Sequence, residues 1–428
     1  MKKILNPSRN IWLKLAQRPV KPVASLEDTV KKVFADVGKN GDAALKKYTL
    51  FFDKVKVNPI KLSAAKLAAG QTISSELKNA IQLAKKNIET FHASQKENAK
   101  VIETIPGVKC WRESRPIQKV GIYIPGGSAP LFSTILMLGI PAKLAGCKEI
   151  ILCTPPDKNG NINPAILYTA QLVGITNIFS VGGIQAIAAM TFGTKTIAKV
   201  DKIFGPGNQY VTAAKQYAQQ RGIAIDMPAG PSEVLIIADA QSDPEFVAAD
   251  LLSQAEHGPD SQVILLSDDK SIIEQAISQV EKQLKGLPRK NIAAHALKNS
   301  KAILLNDLQE CVEFSNIYAP EHLILAVKYP EKYIPAVSNA GSVFLGNYSC
   351  ESAGDYASGT NHTLPTNGYA RSYSGVSLDS FVKKITFQEL SKEGIQKIGP
   401  AIELMAEAEG LMAHKNAVTV RLKASNDK

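Results

Sequence analysis

Gln254 and His257 stand three residues apart in Ser253-Gln254-Ala255-Glu256-His257-Gly258-Pro259, where their side chains could hold a metal ion or a polar substrate. At about 100° per residue, Gln254 falls within about 20° of Val247 on the apolar stripe of the preceding segment, and His257 about 60° further round. A buried amide or imidazole without a partner costs roughly 1–3 kcal/mol. The pair is therefore either a helix end whose histidine is satisfied by carbonyls, or part of a site. Glu321-His322 offers an adjacent acid and base at the start of an apolar run, 322–327. Neighbours on a strand point to opposite sides, so each needs its own task. Asp355 sits in the Gly- and Ser-rich stretch Glu351-Ser352-Ala353-Gly354-Asp355-Tyr356-Ala357-Ser358-Gly359, a flexible frame for a carboxylate. Near the C-terminus, Ile402, Met405, Glu409 and Met412 share one apolar stripe. A carboxylate there calls for a partner in another element or another subunit. His414 lies about 140° from Glu409 on a continued helix, so the two converge only around a ligand or where the helix ends. Histidine, aspartate and an amide oxygen without cysteine suit Zn²⁺, with Mn²⁺ also compatible. The remaining histidines read differently: His92 and His295 as structural or solvated, His362 beside Asn361 in a polar loop.

Three glycine-bearing turns follow apolar runs: Ile124-Pro125-Gly126-Gly127-Ser128-Ala129-Pro130, Val181-Gly182-Gly183-Ile184-Gln185 and Phe204-Gly205-Pro206-Gly207-Asn208. Glycine-rich backbone at a helix N-terminus suits a phosphate, although a tight turn between strand and helix needs glycine anyway. None is a GxGxxG fingerprint, since Tyr210 stands where the third glycine belongs.

The elements that must position these residues show a change of period near residue 118. Before it, residues 25–110 read as almost wholly helical, and residues 1–24 as a short helical arm. After it, apolar runs at 120–124, 149–153, 177–181, 202–204 and 223–225 alternate with helical segments, and a second set follows at 233–238, 263–267, 302–305, 322–327 and 341–345. Runs without alternation, spaced by helices, are the pattern of parallel strands buried on both faces. The expected fold is α/β, two tandem Rossmann-like domains with helical extensions at both ends. Residues 25–122 with 233–376 would carry most of the chemistry. An inserted unit, 123–232, would hold a nucleotide at its three loops, and 377–428 would form a terminal segment.

The 428 residues leave ample length for more than one core. No stretch approaches the 18 or so uninterrupted apolar residues of a membrane span, and the first residues are too charged for a secretory signal. Five cysteines without a CxxC suit reduced thiols, so a cytoplasmic protein is expected. The net charge of +11 is concentrated in residues 1–100, where 20 Lys+Arg face 8 Asp+Glu. Lysines on the outside of amphipathic helices, as around Leu77, Ile81, Ala84, Ile88 and Phe91, make a solvated face rather than a nucleic-acid surface.

Several stretches together resemble the histidinol dehydrogenase family across roughly residues 25–415. They are Tyr123-Ile124-Pro125-Gly126-Gly127-Ser128-Ala129-Pro130-Leu131-Phe132-Ser133, Gly205-Pro206-Gly207-Asn208 and Asp226-Met227-Pro228-Ala229-Gly230-Pro231-Ser232-Glu233, then Asp250 to His257, Ala319-Pro320-Glu321-His322 and Ser358-Gly359-Thr360-Asn361-His362. The resemblance implies oxidation of L-histidinol to L-histidine, the last step of histidine biosynthesis, with two NAD⁺ in succession and a bound aldehyde between them. It implies Gln254, His257, Asp355 and His414 as ligands of one Zn²⁺, with Ser232, His322 and Glu409 joining them around the substrate. Tyr123, Gln185 and Asn208 would contact NAD⁺. Glu321 would activate water and His322 would serve as the base. The implied assembly is a homodimer whose C-terminal segment reaches the partner's site, without nucleic acid or membrane. Three rivals remain distinct: a relative acting on another small alcohol, a nucleic-acid-binding module and a zinc hydrolase. The buried run around Cys153 favours core packing over a catalytic thiol.

Overall fold

Most of the apolar runs become strands covered on both faces, the edge strand Ser342–Leu345 being an exception. Every residue of Glu233–Ala238 and of Gln262–Ser267 is buried, as parallel sheets flanked by helices require. The computed structural model describes residues 1–19, 24–126, 130–228 and 230–426, so Gly127-Ser128-Ala129 and Ala229 of two sequence motifs lie outside the described residues. The chain divides into two compact units, Met1–Ser94 with Ile117–Ser380, and Gln95–Pro116 with Phe381–Lys428.

The first unit holds two parallel sheets. One runs Asn177–Ser180, Glu149–Thr154, Lys119–Tyr123, Lys202–Phe204, Ala224–Ile225. Numbered along the chain, that is the doubly wound order 3-2-1-4-5, with its switch point beside Lys119–Tyr123. The other runs Lys2–Leu5, Lys301–Leu304, Gln262–Ser267, Glu233–Ala238, His322–Ala326, Ser342–Leu345. Without its first strand it repeats the same 3-2-1-4-5 order. Two Rossmann-like halves are therefore present, as the alternation of runs and helices implies.

Three local outcomes differ from the periodicity. Residues 2–5 form an edge strand paired with Lys301–Leu304 rather than a turn of helix, because the open sheet edge supplies backbone partners that a short charged arm lacks. The helices Ala24–Asn40 and Asp42–Tyr48 share a core with the five-stranded sheet, through Val33, Phe34 and Leu45 against Tyr123, Ile151 and Phe179, whereas the sequence grouped them with the other half. On Ser75–Ala93 the buried stripe is Ile81, Ala84, Ile88 and His92, while Phe91 is exposed. His92 is satisfied there, with Nδ1 2.9 Å from Ile88 O and Nε2 3.2 Å from Asn361 Nδ2.

The second unit is an antiparallel sheet of Ile102–Ile105, Val108–Pro116 and Val382–Leu390, followed by helices Lys392–Ala408 and Met412–Asn426 packed on each other. Trp111 pairs in register with Phe387, their stacked rings 5.5 Å apart. Residues 102–105 and 108–110 are thus strand where helix was expected; the long partner of 108–116 lies some 270 residues away in sequence and gives no local signal. No helix among the described residues is long and apolar enough to cross a membrane.

Candidate active site

The strands Glu233–Ala238 and His322–Ala326 lie side by side, His322 opposite Val234, so Glu233, Glu321 and His322 meet at the N-terminal edge of the six-stranded sheet. The helix Pro244–Ala255 returns antiparallel to this edge and brings Gln254 in its last turn. Its start is set by Asp243, whose carboxylate accepts from the backbone N–H groups of Glu245 and Phe246. Ser242 does not cap this helix. Ser242 instead accepts from Asp239 N–H and donates to Ala326 O, tying the helix to the neighbouring strand. His257 falls just beyond the helix, which ends with Glu256 as its cap.

One backbone residue organises the cluster. The Glu233 N–H donates to Glu321 Oε2 at 2.9 Å, and its carbonyl lies 3.0 Å from His322 Nδ1 and 3.1 Å from Gln254 Nε2. A carbonyl only accepts, so Nδ1 of His322 carries the hydrogen in that bond. In the neutral ring this leaves the lone pair on Nε2, which is buried, lacks a hydrogen-bond partner among the described residues and sits 3.7 Å from Asp355 Oδ1. Gln254 Oε1 is likewise buried without a partner among the described residues.

Residues 351–359, read from sequence as a flexible frame, contain the short helix Glu351–Tyr356. Spacing of four then places Glu351 and Asp355 on one face. His257, Glu351 and Asp355 each bring one ligand atom within 4.8 Å of the others. Glu351 is the member that the sequence reading missed, and its spacing from Asp355 was the available signal. Its Oε2 also accepts from Ser253 Oγ at 3.2 Å. His362 is a brace: Nδ1 meets Asp355 O at 2.8 Å and Nε2 meets Thr134 Oγ1 at 3.1 Å.

The electrostatics are those of crowded buried carboxyls. Burial pushes Glu321 up to about 8 and Glu351 up to about 7. Desolvation opposes charge on His322, but Glu321 and then Asp355 outweigh it and push the imidazole up to about 10. Burial also works against ionised Asp355, yet the His322 ring 3.7 Å away and the other nearby imidazoles hold it below the usual carboxylate range. Three carboxyls around one imidazole form a charge set that a divalent cation balances. Nitrogen and oxygen donors, one of them the orphaned Gln254 Oε1, fit Zn²⁺ or Mn²⁺ at His257, Asp355, Gln254 and Glu351.

The other sequence candidates fall in separate places. Ser232, half-buried, precedes Glu233, and its carbonyl accepts from Gln262 N–H at 3.2 Å. Glu409 and His414 belong to the second unit. Glu409 caps the helix Lys392–Ala408, and Gly410 breaks it at φ 73°, so His414 stands on the next helix and the single continued stripe does not form. Both side chains are exposed, as are Met405 and Met412.

Tyr123, Gln185 and Asn208 come together on a cavity of about 770 Å³ at the C-terminal edge of the five-stranded sheet. The Tyr123 hydroxyl accepts from Gly183 N–H at 3.1 Å, and Asn208 Oδ1 caps the helix Gln209–Gln220. Gln185 is fully buried with both polar side-chain atoms unpartnered among the described residues. Glycine is needed for the close turns. A Cβ on Gly205, at φ 127°, would stand 2.0 Å from Tyr123 O. The volume and the mix of apolar and polar lining match a small-molecule site. Cys153 is fully buried and its thiol is pushed far up by desolvation, so it is core.

Comparison with known proteins adds sequence and whole-fold likeness. A family profile described as histidinol dehydrogenase matches residues 16–422. The histidinol dehydrogenase of Bacteroides thetaiotaomicron is 58% identical over 423 residues, 99% of each chain. That of Shigella sonnei is 54% identical over 414 residues, covering 96% of this chain and 94% of the relative. The crystal structure of histidinol dehydrogenase from Elizabethkingia anophelis superposes with a TM-score of 0.98 at 66% identity, covering 100% of this chain and 99% of that one.

Proposed function

The chain belongs to the histidinol dehydrogenase family, and on that premise we propose that its N-terminal-edge cluster oxidises L-histidinol to L-histidine with two NAD⁺, through an aldehyde that stays bound. The observation that carries this reading is the pairing of His322, its Nε2 buried and unpartnered, with a carboxyl-rich nest of metal-type donors 3.7 Å away.

Beside a divalent cation at the neighbouring donors the proton on His322 is opposed and ionised Glu321 is favoured, so His322 takes the hydroxyl proton of the alcohol as hydride leaves the same carbon, its Nδ1–H held by Glu233 O. Tyr123, Gln185 and Asn208, which line the cavity, would hold NAD⁺, and it would supply the hydride acceptor. Glu321, fixed by the Glu233 N–H, takes a proton from the water that hydrates the aldehyde. His322 then accepts the proton of the hydrate as the second hydride departs. The sum is one alcohol, two NAD⁺ and one water giving one carboxylate, two NADH and three protons. Zn²⁺, when bound by Gln254, His257, Asp355 and His414, supplies a Lewis acid that orients the imidazole and amine of the substrate. Ser232, His322 and Glu409 complete the substrate contacts.

The exposed His414 and Glu409 support a homodimer in which these residues serve the site of a second copy. Leu404, Met405, Leu411 and Met412 on the same segment are 69%, 66%, 44% and 55% exposed, more apolar surface than an isolated helix pair ordinarily leaves in water.

The test is metal content against turnover. Purified protein should hold one Zn²⁺ per chain by elemental analysis, lose L-histidinol-dependent NADH formation on chelation, and regain it with added Zn²⁺. Full activity in metal-free protein would refute the reading.

A further inference from the structure

The dinucleotide cavity has a wall that the sequence did not assign to it. Lys32 from the helix Ala24–Asn40, Tyr48 from Asp42–Tyr48, and Phe51, Phe52 and Asp53 from the single turn Thr49–Asp53 line it opposite Gly183, Gln185 and Asn208. Asp53 is unusual among them. Its Oδ2 is buried and has no hydrogen-bond partner among the described residues, and burial alone pushes its carboxyl up to about 6. Lys54, at φ 60°, ends the turn immediately after it and fixes the direction in which the chain leaves. A carboxylate oxygen kept dry and unpaired at a cavity wall costs free energy until donors arrive. Gln185, also buried and unpaired, has an amide that both donates and accepts. Asp53, when ionised, only accepts.

We propose that Asp53 accepts the hydroxyls of a ribose of the bound dinucleotide and so selects NAD(H) against its 2′-phosphorylated counterpart. This rests on the reading of the cavity as the nicotinamide-dinucleotide site. Two adjacent hydroxyls present two donors at the separation a carboxylate spans. A 2′-phosphate removes one donor and sets its negative charge against Asp53 in a partly desolvated wall. Lys32 on the same wall would favour such a phosphate once the Asp53 charge is gone. The exposed rings of Phe51 and Phe52 on the same turn offer flat apolar faces for the adjoining base.

The experiment titrates NADH and NADPH fluorescence into the full-length protein without substrate, for wild type, Asp53→Asn, Asp53→Ser and Gln185→Ala. Wild type should bind NADH at least about tenfold more tightly than NADPH. Both Asp53 variants should bind NADH about tenfold more weakly, the size of one charge-assisted hydrogen bond, and should lose most of the discrimination. A 2′-deoxyribose analogue of NADH should lose affinity for wild type but not for Asp53→Ser. An unchanged NADH-to-NADPH ratio in both variants would overturn the assignment of Asp53, as would equal loss of both cofactors. If Gln185→Ala leaves NADH affinity untouched as well, the reading of the cavity itself fails; if that variant weakens NADH while both Asp53 variants are neutral, only Asp53 is misassigned.

Discussion

Arg18 grips Glu233 with both ends of its guanidinium, Nε to Oε1 at 2.6 Å and a terminal nitrogen to Oε2 at 2.7 Å. The pair is buried, the Arg18 plane stacks 3.9 Å from the Tyr318 ring centroid, and further bonds reach the carbonyls of Tyr318 and Ala319. Glu233 is the residue whose backbone holds Glu321, His322 and Gln254. Arg18 therefore acts on the site from the far side of Glu233.

Replacing Arg18 with alanine should destabilise the fold by about 3–5 kcal/mol, since it strands a buried carboxylate. Arg18→Lys keeps the charge but loses the two-point grip and the stacking. It should melt closer to wild type while kcat still falls several-fold with KM for NAD⁺ unchanged. Thermal melts and steady-state kinetics on the two variants check this. An Arg18→Lys enzyme with wild-type kcat would show that the grip serves stability alone.

Glu351 was found through its helical spacing from Asp355 and its place beside His257. Glu351→Gln and Asp355→Asn should each weaken Zn²⁺ binding by about 10–100-fold, read by competition with a chromogenic chelator. A variant of Glu351 with wild-type affinity would leave it as a neighbour that only shapes the charge around His322.

Asp53 gives the apo protein a pH signature. Its folded carboxyl titrates near 6 against an ordinary value of 3.8, so the folded state holds the proton more tightly. Stability then falls as pH rises through the window between those values, and the loss is complete above it. Discounted for the partial exposure of the group, Asp53→Asn should raise stability by about 1–2 kcal/mol at pH 8 and by almost nothing near pH 4. Melting curves of the apo protein and its variant at both pH values decide it; equal shifts at the two would contradict the account.

A shared site has a genetic-style test in solution. His414→Ala and Asp355→Ala homodimers should both be inactive. Mixing and re-associating them should restore up to about a quarter of wild-type activity, because half of the re-formed dimers are mixed and each mixed dimer keeps one intact site of its two. No recovery, with mixed dimers demonstrated by mass spectrometry, would place His414 in the site of its own chain.

Much of this was legible from residues that are close in sequence. The non-alternating runs at 233–238 and 263–267 announced buried parallel strands, and the stripe shared by Val247 and Gln254 pointed to the helix that delivers Gln254. What was not legible depends on partners distant in the chain. Residues 2–5 become strand only because Lys301–Leu304 offers an edge, and 108–116 only because 382–390 pairs with it. Asp53 and Lys32 belong to helical sequence that gave no hint of the cavity they line. The two halves also share a strand order but not an edge. Gly183 and Gly205 lie at the C-terminal edge of their sheet, whereas Glu321 and His322 stand at the N-terminal edge of theirs. A rule that looks only beyond strand ends would have missed this acid–base pair.

If one site removes two hydrides from one molecule of L-histidinol, with His322 and Glu321 in successive roles, the endpoint of NADH absorbance with excess NAD⁺ and a limiting, weighed amount of L-histidinol shows it. Wild type should give two NADH per histidinol, Glu321→Gln an endpoint approaching one on the time scale of the first oxidation, and His322→Gln almost none. One NADH per histidinol from the wild-type enzyme would contradict it, because the aldehyde would then be the product and Glu321 would have no water to activate.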